Sequence, residues 1–129
     1  MRKQCMMMGK GLVPNSLVLA YIGDAYFELL VRDYLIKQGI LKVDALQKTS
    51  INYSSAKSQK KLLDKIMPLL TESEIDIVMR ARNYKKTNHP KNTDIGTYKY
   101  STAFEALIGY LYLNKDFERI DFLFNKITE

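Results

Sequence analysis

Two acids stand alone in apolar surroundings. Asp24 lies in AYIGDAYFELLV, residues 20–31, and Glu105 lies in TAFEALIGYLYL, residues 102–113. A carboxylate amid apolar neighbours is costly without a partner. Each acid also has a glycine close by, Gly23 and Gly109. A glycine on a helix face lets another backbone approach. If the two segments are helices that cross at these glycines, the carboxylates converge. Converging carboxylates repel unless a cation or a shared proton intervenes. Oxygen donors without His or Cys suit a hard ion such as Mg²⁺. The residues alone leave a second reading open, in which each acid meets a lysine, an arginine or a helix N-terminus.

The elements that must position these acids read as helices. Pro14-Asn15-Ser16 is a helix start, with Asn15 or Ser16 as cap, and the first long helix runs to about Lys37, stopped by Gly39. On that helix Asp24 shares a face with Leu17, Ala20, Tyr21, Phe27 and Val31, so it is expected to be buried or in a cleft. A short helix over Lys42–Lys48 and a long one from about Ser50 to Met67, ended by Pro68, follow. Thr71 and Glu74 match a capping box, which predicts a helix from about Glu72 to Asn83. Residues 84–94 have no apolar period and read as a loop. A helix from about Tyr98 to Leu113 carries Glu105. The last helix, Asp116 to about Ile127, has Phe117, Ile120, Phe124 and Ile127 as its core stripe. The fold class is all-α, with about six to seven helices in one domain over 1–129.

Composition narrows the function classes. At 47% hydrophobic and 26% charged, the 129 residues suit one soluble globular domain. Cys5 is the sole cysteine, which excludes an internal disulfide and fits a reducing compartment. Arg2, Lys3 and Met6-Met7-Met8 precede no long apolar run, so neither a signal peptide nor a membrane span is expected. The net charge is +6, and its excess gathers in one stretch. Arg80, Arg82, Lys85, Lys86, Lys91 and Lys99 face the single acid Asp94. Such a stretch is either a solvated surface or a site for a polyanion such as nucleic acid. Glu28 and Arg32, four residues apart, form a surface pair. His89 and Cys5 have no companions at ligand or nucleophile spacing and take no role.

Tyr21-Ile-Gly-Asp-Ala25 resembles the signature helix of the ribonuclease III catalytic domain, and Thr102-Ala-Phe-Glu-Ala-Leu-Ile-Gly109 resembles that family's second acidic helix. Together with Ser54-Ser-Ala-Lys-Ser-Gln59, Pro90-Lys-Asn-Thr-Asp94 and the run from Tyr98 to Ala106, the chain is similar to Mini-III, the stand-alone bacterial branch of that family. The resemblance spans residues 14–127 and excludes the separate double-stranded-RNA-binding domain of the longer enzymes. It implies an all-helical, cytoplasmic homodimer that cuts double-stranded RNA with Mg²⁺, for which Mn²⁺ can substitute. It implies 5′-phosphate and 3′-hydroxyl products, and maturation of both ends of the 23S ribosomal RNA precursor. By resemblance Asp24 is the catalytic aspartate and Glu105 the catalytic glutamate.

The chain departs from the longer enzymes at three acids. Where they carry glutamates four and seven residues before the aspartate, it has Ala20 and Leu17. Where they carry an aspartate three residues before the second glutamate, it has Thr102. The ion is then expected to keep more waters, one of them held by Thr102. RNA contacts are expected from Lys85, Lys86 and Lys91 on the loop, from Arg80, Arg82 and Lys99 beside it, and from Lys57 and Gln59 on the second long helix. The lost acids leave a rival open, a non-catalytic double-stranded-RNA-binding module of the same fold. A DNA-binding regulator fits less well, since the basic residues gather on a loop rather than along a short recognition helix. A scaffold whose acids are internally salt-bridged is the third reading.

Overall fold

A computed structural model describes residues 14–84 and 94–129. The expected N-terminal features and the loop residues Lys85, Lys86, His89 and Lys91 lie outside these residues, as does Cys5. Among the described residues there are six α-helices: α1 Ser16–Lys37, α2 Val43–Ser54, α3 Ala56–Ile66, α4 Glu72–Asn83, α5 Ile95–Leu113 and α6 Phe117–Thr128. The all-α expectation holds.

The boundaries follow from side chains that satisfy free helix ends. Asn15 caps α1, its side-chain oxygen accepting from the N–H groups of Leu17 and Val18. After α1 the chain turns at Gly39, whose φ of +96° favours glycine. The expected break between residues 48 and 50 is corrected, because α2 runs on to Ser54. The interruption falls at Ser55, which is extended and whose hydroxyl accepts from the N–H of Ser58 to start α3. α3 gives way to a 3₁₀ turn over Met67–Leu69, which contains Pro68. The Thr71 and Glu74 capping box is present in both directions. α5 starts three residues before the expected Tyr98, because Asp94 accepts from the backbone N–H and the hydroxyl of Thr97. These two bonds hold the Asp94 carboxyl below the usual carboxylate range.

α5 is the central helix, packed against α1, α3, α4 and α6. Residues Phe104, Leu107 and Ile108 on it are buried with Phe27 and Val31 of α1, Leu63 and Ile66 of α3, Val78 of α4, and Ile120 and Leu123 of α6. Phe27 meets Phe104 edge-on, with ring centroids 4.9 Å apart, and also meets Phe124 at 6.1 Å. These contacts tie α1, α5 and α6 together. The expected α6 stripe needs one correction. Phe117 is exposed at the edge of the core, against Tyr26 and Tyr112, while Leu123 takes a core place. α4 and α6 are joined by an ion pair. Arg119 donates to both carboxylate oxygens of the buried Glu74 and to the Leu69 carbonyl.

Candidate active site

The candidate site is the place where α1 crosses α5. A Cβ on Gly23 would stand 2.8 Å from the Glu105 carbonyl carbon and 2.7 Å from the Gly109 nitrogen. A Cβ on Gly109 would stand 2.8 Å from the Leu19 carbonyl carbon. Only glycine at both positions lets the two backbones meet this closely. The crossing expected from the two glycines is therefore present. Asp24, next to Gly23, and Glu105 belong to the same crossing.

Their surroundings differ from the expectation for Asp24. Ala20, Phe27 and Val31 are buried, but Asp24 is exposed, as is Tyr21 at 82%. Asp24 sits at the edge of the buried strip of α1, between the buried Gly23 and the exposed Ala25. It needs no partner to offset burial, and it makes no ion pair with another described residue. Among the described residues no lysine or arginine bridges Asp24, so the scaffold of internally bridged acids gains no support there. Glu105 is half-buried.

The positions of the three missing family acids are apolar or small. Ala20 is 7% exposed and Thr102 8%. Leu17 and Thr102 line one small, mainly apolar pocket with Tyr98 and Lys99. Among the described residues no cluster of three or more His, Cys, Asp or Glu could enclose a metal. Asp24 and Glu105 are the carboxylates carried by the helices at this crossing, and Asp24 is open to solvent. That set fits a hard divalent ion that keeps most of its waters, as Mg²⁺ does.

The basic residues fall into separate groups. Lys57 is exposed on α3 and Lys99 half-exposed on α5. Arg80 is exposed and paired with Asp76 at 3.0 Å. Arg82 donates through Nε to the Tyr100 hydroxyl at 2.9 Å, and its guanidinium lies 5.2 Å from the same ring. Lys60 lies 5.2 Å from that ring as well. Lys60 and Tyr100 are not among the residues expected from the sequence. Two signals point to them: Lys60 is one turn from Lys57, and Tyr100 belongs to the alternating run Tyr98-Lys99-Tyr100. Gln59 requires a correction as an RNA contact. It is 1% exposed and accepts a hydrogen bond from Ser101, so it faces the interior.

A profile of the ribonuclease III domain matches residues 17–116. The chain belongs to the ribonuclease III family. It is 49% identical over 106 residues to the Mini-ribonuclease 3 of Brevibacillus brevis, covering 82% of this chain and 79% of that one. It is 45% identical over 115 residues to the Mini-ribonuclease 3 of Staphylococcus aureus, covering 88% and 86%. An X-ray structure of a Fusobacterium nucleatum protein superposes with a TM-score of 0.80 at 34% identity, covering 88% of this chain and 87% of that one. Within the family this chain groups with the Mini-ribonuclease 3 proteins and is an endoribonuclease. The family acts on double-stranded RNA and generally uses a divalent metal. No described helix is long and apolar enough to cross a membrane.

Proposed function

We propose that this family member hydrolyses the phosphodiester backbone of double-stranded RNA at the α1/α5 crossing with Mg²⁺, leaving 5′-phosphate and 3′-hydroxyl ends. One observation carries the reading: the two isolated acids of the sequence, 81 positions apart, stand at a crossing that only glycines allow. Asp24 and Glu105 offer the carboxylate oxygens, and Thr102, one turn before Glu105, offers a hydroxyl. When bound, the ion supplies Lewis acidity toward the phosphate and acidifies a water. The exposure of Asp24 suits a substrate as broad as a duplex, which is read through phosphates, 2′-hydroxyls and shape. Lys57, Arg82 and Lys99, with Lys85, Lys86 and Lys91 of the loop, hold the flanking phosphates. Arg80 contributes less, because Asp76 already neutralises it.

The substrate proposed is the 23S ribosomal RNA precursor in the cytoplasm, and the working form is a homodimer. An exposed apolar stripe on α1, made by Val18, Tyr21, Leu29 and Ile36, supports the dimer. The test is cleavage of a ribosomal precursor duplex with and without Mg²⁺ by the wild type, Asp24→Asn and Glu105→Gln. Each variant should lose at least about a hundredfold in kcat. A wild-type rate in either removes that residue from the mechanism. Duplex binding without any cleavage would favour the non-catalytic module.

A further inference from the structure

Gln59 on α3 and Ser101 on α5 are both buried, at 1% and 8% exposure. The Ser101 hydroxyl donates to the Gln59 side-chain oxygen at 2.7 Å, across 42 positions of sequence. A buried neutral hydrogen bond adds little net stability, because both groups give up water to make it. An apolar pair of the same shape would serve the core as well. What an apolar pair lacks is direction. A hydrogen bond has a preferred length and angle, so it fixes how far α5 is rotated about its axis and how far it slides along α3.

That rotation matters because of where Ser101 stands. It is four residues, one turn, before Glu105, and so on the same face of α5. The turn at Glu105 is the one in backbone contact with Gly23, beside Asp24. One residue before Ser101, Tyr100 accepts from Arg82 of α4. Residues 100 and 101 thus tie α5 to α4 and α3, while 105 and 109 seat it on α1.

We infer that Gln59 and Ser101 are a positioning pair for the nuclease site. Their hydrogen bond holds α5 at the rotation that sets the spacing of the Glu105 and Asp24 carboxylates. Neither residue touches the RNA. The inference rests on the reading of Asp24 and Glu105 as the reacting site.

The test is the double variant Gln59→Leu with Ser101→Ala. Removing both partners strands no buried polar group, so its melting temperature should match or exceed that of the wild type. Three readouts are taken: thermal melting, Mn²⁺ affinity by calorimetry without RNA, and kcat and KM on a long duplex RNA. The expected result is a kcat about ten- to a hundredfold lower, an unchanged KM and weaker Mn²⁺ binding, with no loss of melting temperature. If the double variant does not fold, Ser101→Ala alone is read by Mn²⁺ affinity and kcat, with a lower melting temperature expected because the buried Gln59 oxygen loses its donor. Wild-type kcat and Mn²⁺ affinity in the folded variant overturn the positioning role and leave the nuclease reading standing. A wild-type protein that leaves the duplex intact with Mn²⁺ or Mg²⁺ overturns the nuclease reading, and the positioning role with it.

Discussion

Arg119 of α6 grips Glu74 of α4 through two hydrogen bonds of 2.8 Å, one to each carboxylate oxygen. Burial works against the ionised form of Glu74, but the bonds from Arg119 and from the Thr71 N–H outweigh it and hold its carboxyl below the ordinary value. Since the folded-state pKa is the lower one, the stabilisation is fully present above the unfolded value and is lost as the pH falls through the folded value. The urea midpoint of the wild type should therefore drop on acidification below about pH 4.3, and Glu74→Gln should flatten that limb. Arg119→Met strands a buried carboxylate and should cost about 3 kcal/mol at neutral pH.

Gly23→Ala should be among the most damaging single substitutions in the chain. The added methyl would meet the Glu105 backbone, which has no rotamer by which to escape. The cost expected is about 3 kcal/mol, read as a shift in the urea midpoint. Asp24→Asn, one position away but exposed, should stay within about 0.5 kcal/mol of the wild type.

Affinity for duplex RNA should fall steeply with salt, because each neutralised phosphate releases counterions. Replacing Lys85, Lys86 and Lys91 together with Ala should reduce the slope of log K against log salt by about one for each phosphate no longer neutralised. The same holds for Lys57→Ala with Arg82→Ala. Unaltered slope and affinity in the loop variant would remove the loop from RNA binding.

The α1 stripe makes a prediction about assembly. Tyr21 is the most exposed large side chain on it, at 82%. Tyr21→Glu places a charge within the stripe, so sedimentation should show monomers where the wild type sediments as dimers. A wild-type monomer at working concentration would dismiss the dimer.

The parts of this fold that are legible in the sequence are those with local signals. Asn15, the box of Thr71 with Glu74, and the paired glycines each announce themselves within a few residues. Ser55 does not stand out, because residues 48–58 hold five serines and threonines, and only the three-dimensional course shows which one caps a helix. The wheel neighbours of Asp24 are apolar and point it inward. A wheel counts neighbours along one helix and knows nothing of where the next helix ends its cover. Gln59 misleads in the opposite sense, since a polar side chain beside Lys57 and Lys60 looks like surface until Ser101, far along the chain, is brought to it. The pairing of Arg119 with Glu74 spans 45 positions and has no local trace either.

The meeting of α1 with α5 at Gly23 and Gly109 is made by main chain on main chain. Main-chain atoms are the same whatever residues surround them. The approach of α1 to α5 beside Asp24 and Glu105 is therefore insulated from drift in the rest of the core, while the rotation of α5 is left to Gln59 and Ser101. Exchanging Phe27, Leu107 or Val78 for other apolar residues should let the packing readjust around them without changing how closely α1 and α5 approach. The two glycines are the positions at which that freedom ends.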